Sequence, residues 1–130
     1  MCICKCYGFF KYENGALVSV YDINENTYHP ISAFKDKCDI YLGTMPASFQ
    51  PWKIVIKDKN KTNFLSEYFN ELKSINNTGA IMAKAYHKRS LEIGLQLVKE
   101  GVAQTNDDVN TVMLTGFFHA YGPINDFINA

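Results

Sequence analysis

Residues 10–23 read FKYENGALVSVYDI and carry the clearest fold signal in this chain of 130 residues. Asn14 and Gly15 lie between two runs of β-forming residues. Asn-Gly is the strongest two-residue signal for a type I′ turn, because both central positions need positive φ. The sequence therefore predicts a β-hairpin over residues 2–23.

The predicted hairpin register sets which side chains share a face. Residues whose numbers sum to 29 lie opposite each other, for example Tyr12 with Leu17 and Phe10 with Ser19. Three cysteines alternate along the first strand and fall on one face: Cys2, Cys4 and Cys6. We expect these to be buried thiols, because zinc sites usually use C-x₂₋₄-C spacings that turn back on themselves.

Two further strands are predicted near residues 39–43 and 52–58, after a loop over residues 24–38. Pro46 and Pro51 prevent a regular ladder between these strands. No helix-length crossover separates them, so the sheet is predicted to be antiparallel.

From residue 62 the apolar period changes from two to about 3.6. Helices are predicted over about 63–75, 80–99 and 106–121, with Gly101 ending the second and Thr105-x-x-Asp108 opening the third. A short C-terminal turn follows. Strands followed by helices are typical of an α+β fold, and the length fits a single domain over residues 1–130.

The charges balance, with 13 Lys+Arg against 13 Asp+Glu, which argues against nucleic-acid binding by broad phosphate neutralisation. Arg89 is the only arginine, so bidentate recognition of an anion must use Arg89 or another subunit. The many lysines, asparagines and isoleucines suggest an AT-rich genome, such as that of a bacteriophage. No secretion signal or membrane span is evident, so we expect a cytoplasmic protein with no membrane partner.

Common catalytic and cofactor signatures are absent. The sequence contains no P-loop, G-x-G-x-x-G, H-E-x-x-H, G-x-S-x-G or C-x-x-C. We therefore expect no cofactor and no metal.

The second helix carries the first candidate site. His87 and Ser90 fall inside its apolar arc, where polar groups must find partners or line a cavity. Tyr86 and Arg89 are neighbouring ligand contacts, although Arg89 points outward in this projection. The alternative is a core histidine bonded to a backbone carbonyl or a tyrosine.

The third helix is predicted to be apolar around most of its circumference. A second stripe beside its core stripe consists of Leu114, Phe118 and Tyr121. We expect this stripe to form a homo-oligomer interface; the alternative is a helix packed between the sheet and the second helix.

Two more histidines are site candidates. His119 follows Thr115 by four residues, so both are predicted to lie on one polar strip, as ligand contacts or with His119 as general acid or base. The alternative is solvated helix polarity. His29 precedes Pro30 in the predicted loop, and its spacing does not distinguish a site from the surface.

These features favour a small binding protein that captures a small molecule, possibly a nucleotide, or a host protein, as a phage accessory protein or inhibitor would. One alternative is a hydrolase or isomerase that uses His87 or His119 as acid or base. Another is a structural or assembly protein without a ligand.

Overall fold

The structure is a computed structural model that describes residues 8–127. Three antiparallel strands precede the helices, which confirms the predicted α+β order. The internal contacts divide the chain into two compact units, the first ending at Tyr41 and the second beginning at Leu42. A single domain over residues 1–130 stays a prediction. The cysteine face at Cys2, Cys4 and Cys6 lies outside the described residues.

The sheet of the first unit has the order β1-β2-β3, formed by Phe10–Glu13, Ala16–Asp22 and Thr27–Pro30. Asn14 has φ 51° and Gly15 has φ 78°, as a type I′ turn requires. The central hairpin is therefore built by the Asn-Gly turn, as predicted from the sequence.

The predicted hairpin register holds only beside the turn. Tyr12 pairs with Leu17, but a bulge between Lys11 and Tyr12 shifts the ladder, so that Phe10 faces Val20. The pairing of Phe10 with Ser19 was wrong because a bulge places two residues against one, whereas a fixed sum assumes a regular ladder.

Residues 24–43 form a strand and a helix, not the predicted loop and strand. β3 pairs with β2, and helix α1 spans Ser32–Leu42 across the predicted strand 39–43. An ion pair between Lys35 and Asp39, one helical turn apart, supports the helix, and Gly43 ends it with φ 85°. The strand prediction was wrong because a short apolar run does not distinguish a strand from a helix.

The core of the second unit is built on α3 (Lys61–Ser74) and α4 (Thr78–Lys99), which confirms both predicted helices. α3 buries four side chains at helical spacing: Leu65, Tyr68, Phe69 and Leu72. Asn77 caps α4 by accepting a hydrogen bond from the Ala80 amide at 2.9 Å. Phe69 is fully buried at the centre of an aromatic cluster.

The predicted strand 52–58 was also wrong. Its first residues form the short helix α2 (Trp52–Val55), where the amide of Ile54 donates to the Pro51 carbonyl at 2.8 Å. Pro51 has φ −55°, which suits a helix start. The helical turn buries Val55 and leaves Ile54 exposed.

The third predicted helix begins correctly and ends early. Thr105 and Asp108 form a capping box on α5 (Asn106–Thr111), and a π-helical turn over Val112–Gly116 follows. The chain then folds back, with Phe118 at φ 54° and the His119 amide donating to the Met113 carbonyl at 3.0 Å.

The early end of the helix corrects the predicted interface stripe. Tyr121 packs edge-to-face on Phe69, with ring centroids 5.1 Å apart, whereas Phe118 is 74% exposed. Leu114, Phe118 and Tyr121 therefore do not share one helix face. Periodicity alone gave no sign of the fold-back that turns Tyr121 inward.

Within residues 8–127, no helix combines the length and apolar character needed to cross a membrane.

Candidate functional site

A groove of about 740 Å³ lies in the second unit beside the C-terminal half of α4. The opposite wall comes from α5 and the π-helical turn, and residues 102–104 and Pro123 border it. The residues that line it are Ser90, Ile93, Gly94, Leu97, Val102, Ala103, Gln104, Asp108, Val109, Val112, Met113 and Pro123. This volume falls in the range of small-molecule pockets, about 300–1,000 Å³.

Gly94 allows the walls of the groove to approach α4 closely. A Cβ atom at this position would lie 3.0 Å from Ile124 Cγ1 and 3.5 Å from Val109 Cγ1. Gly94 is buried, and Val109 is 8% exposed. The glycine therefore sets the spacing between α4 and the groove wall.

Asn110 fixes the C-terminal segment that supplies Pro123. Its amide nitrogen donates to the Ile124 carbonyl at 2.8 Å, and its amide oxygen accepts from the Ile124 amide at 3.0 Å. Gly122 makes this contact possible, because a Cβ atom there would lie 2.1 Å from the Asn110 amide oxygen. Asn110 thus ties the C-terminal segment to α5 through two hydrogen bonds.

The groove is apolar, with three polar side chains among its lining residues. One of these, Asp108, is committed to the capping box, where its Oδ2 accepts from the Thr105 amide at 2.8 Å. The other two, Ser90 and Gln104, are neutral. Within residues 8–127, no lysine or arginine lines the groove, so the described walls lack the cationic side chains that commonly bind phosphate groups.

His87 does not line this groove. It packs edge-to-face on Phe69 at 5.0 Å, and its ring nitrogens lie 3.0 and 3.2 Å from the Tyr121 hydroxyl. Burial lowers the pKa of His87 to about 4 and raises the pKa of Tyr121. A neutral imidazole beside a protonated phenol is therefore part of the aromatic core at neutral pH.

Of the residues predicted around His87, the structure places only Ser90 in the groove. Arg89 forms an ion pair with Glu92 at 3.1 Å on the exposed side of α4. Tyr86 is 67% exposed. The predicted cluster of Tyr86, His87, Arg89 and Ser90 is thus divided among the surface, the core and the groove.

Thr115 and His119 are not brought together by a helix, because the helical segment ends at Gly116. The Thr115 hydroxyl donates to the Thr111 carbonyl at 2.7 Å. His119 is exposed, with its ring edge-to-face to Phe117 at 6.4 Å. Thr115 and His119 therefore do not lie one helical turn apart on a shared strip, as the sequence predicted.

Most residues that line the groove were not predicted from the sequence. Val102 follows the glycine that ends α4 and is 71% exposed, and an apolar residue after a helix stop was the available signal. Met113 and Pro123 meet only because the chain folds back, and helical periodicity contains no such signal.

No protein-family model, no curated protein and no solved structure matches this chain. A function is therefore proposed below from the geometry of the groove alone.

Proposed function

We propose that this protein binds a small, neutral, largely apolar molecule non-covalently in the groove between α4 and α5. The observation that carries the proposal is a groove of about 740 Å³ with apolar walls and, in the part of the chain that the structure describes, no lining cation. Burial of apolar ligand surface supplies the affinity, at roughly 25 cal/mol per Å². Ser90 and Gln104 supply hydrogen bonds that orient the ligand.

This proposal narrows the range of ligands expected from the sequence. A nucleotide brings phosphate charge, and no lining residue is a cation that would neutralise it. Asp108 adds a carboxylate that repels anions. The groove thus supports an uncharged ligand better than a nucleotide.

The chain offers a matched pair of variants to test the groove. Ile93 and Leu95 both lie on α4 and are each 45% exposed, but only Ile93 lines the groove. Ile93→Glu places a carboxylate beside the ligand, whereas Leu95→Glu places the same charge outside the site. Any general effect of the substitution on α4 is common to both.

The assay is a titration with N-phenyl-1-naphthylamine, a neutral apolar dye that fluoresces on leaving water. We expect wild-type binding with a Kd on the order of micromolar. Ile93→Glu should weaken it by about tenfold or more, because the ligand must be buried against a charge. Leu95→Glu should stay within about twofold. Equal effects of both variants would rule out the groove as the binding site.

Self-association and capture of a host protein stay predictions, as does a phage setting. Phe117 and Phe118 are 65% and 74% exposed, so an interface near the fold-back would cover apolar surface. Light scattering at micromolar concentration tests the oligomer directly, because a monodisperse monomer would exclude it.

A further inference from the structure

We propose a divalent metal site of the zinc class in the first unit, formed by Asp22, Glu25 and His29. Each residue offers one ligand atom, and the three atoms lie within 4.8 Å of one another. The site is independent of the groove between α4 and α5.

The strand register brings Asp22 and His29 together. β2 and β3 pair Val20 with His29 and Asp22 with Thr27. Side chains at alternate positions share a face, so Asp22 and His29 are diagonal neighbours on one side of the sheet. Glu25 comes from the intervening turn and completes the set.

The turn holds the Asp22 carboxylate against the backbone of Glu25. Asp22 Oδ1 accepts hydrogen bonds from the amides of Asn24 at 2.8 Å and Glu25 at 3.2 Å. Asn26 closes the turn with φ 54°. The backbone thereby holds Glu25 close to the Asp22 carboxylate.

His29 Nε2 is shielded from water, and no group within residues 8–127 meets hydrogen-bond geometry with it. Glu25 Oε2 lies 2.8 Å away, but the two atoms are not aligned as a hydrogen bond. Phe34 packs edge-to-face on the imidazole at 6.0 Å and restricts its rotation. A buried nitrogen beside two carboxylates is better satisfied by a cation than by this contact.

The donor set indicates the class of metal. Imidazole nitrogen with carboxylate oxygen suits zinc and similar transition ions, whereas magnesium and calcium prefer oxygen alone. Around an ion with bonds of about 2.1 Å, tetrahedral ligand atoms are separated by about 3.4 Å. The three ligand atoms lie within 4.8 Å of one another, so side-chain rotations that move each atom by about 1 Å would bring them to this spacing. Three protein ligands leave one coordination position open.

The test uses Co²⁺ as a spectroscopic substitute for zinc, added to the full chain after chelator treatment. We expect one ion per chain, with visible bands and without the near-ultraviolet band of a cobalt–thiolate bond. That distinction separates this site from the four cysteines. A thiolate band, or no binding at millimolar Co²⁺, would overturn the proposal.

Variants locate the ion. His29→Gln and Glu25→Gln should each weaken Co²⁺ binding by at least about tenfold, because even outer-shell changes at metal sites have effects of this size. The control is His119→Gln, the same change at an exposed histidine, and it should stay within about twofold. Circular dichroism checks that each variant is folded. If His29→Gln unfolds, Glu25→Gln still tests the site, because the Glu25 side chain is 61% exposed and its replacement should not disturb the fold. Unchanged binding in a folded Glu25→Gln would also overturn the site.

Discussion

Replacing His87 tests whether its imidazole is buried in the neutral form, because burial makes the free energy of unfolding depend on pH. Burial lowers the pKa of His87 from 6.5 to about 4. Between these values the unfolded chain binds a proton that the folded chain excludes, so the free energy of unfolding rises with pH. The contribution of His87 to the free energy of unfolding is complete above pH 6.5 and is lost as the pH falls to about 4.

The size of the effect follows from the pKa shift. The fall in the pKa of His87 from 6.5 to about 4 corresponds to about 3 kcal/mol for a fully desolvated ring. His87 is only partly buried, so screening by water reduces the expected change to about 1 to 2 kcal/mol. His87→Gln removes the titration and keeps a hydrogen-bonding group near the Tyr121 hydroxyl.

The assay is urea unfolding at several pH values between 4 and 6.5, followed by the fluorescence of Trp52. This single tryptophan lies 5.9 Å from the Tyr121 ring and reports on the same cluster. The free energy of unfolding of the wild type, minus that of His87→Gln, should increase by about 1 to 2 kcal/mol as the pH rises from about 4 to 6.5. A constant difference would mean that the imidazole is not buried in its neutral form.

Three further substitutions test the packing of the second unit by denaturant unfolding. Gly43→Ala should destabilise by about 1 to 2 kcal/mol more than Gly101→Ala, because both have positive φ but only at Gly43 would the new Cβ lie 2.5 Å from the Asn77 amide nitrogen. Equal losses of stability in the two variants would mean that backbone strain accounts for both and that the contact with Asn77 adds nothing. Asn110→Ala should lower stability by about 2 to 3 kcal/mol, because it removes both hydrogen bonds to Ile124; a loss below about 0.5 kcal/mol would mean that the fold-back is held elsewhere. Gly94→Ala should be less favourable for stability in the wild-type background than in an Ile124→Ala background, which removes the side-chain atom 3.0 Å from the new Cβ; the same effect in both backgrounds would exclude that contact.

Local signals in the sequence predicted the parts of the fold that depend on neighbouring residues. Asn14 and Gly15 set the hairpin turn, and the spacing of Leu65, Tyr68, Phe69 and Leu72 set α3. The strands near 39–43 and 52–58 failed because each rested on a short apolar run, which helix and strand share. Gly43 and Pro51 were the residues that decided these cases.

The candidate site was less predictable, because tertiary contacts form it. Ser90 was found from its place on the apolar arc of α4, and it does line the groove. Val112 and Pro123 reach the same groove only through the π-helical turn and the clamp between Asn110 and Ile124. Hydrophobic periodicity describes one helix or strand at a time, so it does not predict which separate segments pack together.

The proposed binding site is tested most directly by amide chemical shifts in the presence of N-phenyl-1-naphthylamine. Binding in the groove should move the amide signals of Gly94, Ala103 and Val112 most and in a saturable way. The exposed aromatic residues Phe117 and Phe118 are the competing apolar surface. Shifts centred on those two residues, with the groove signals unmoved, would show that the dye binds exposed apolar surface and that the groove is not the site.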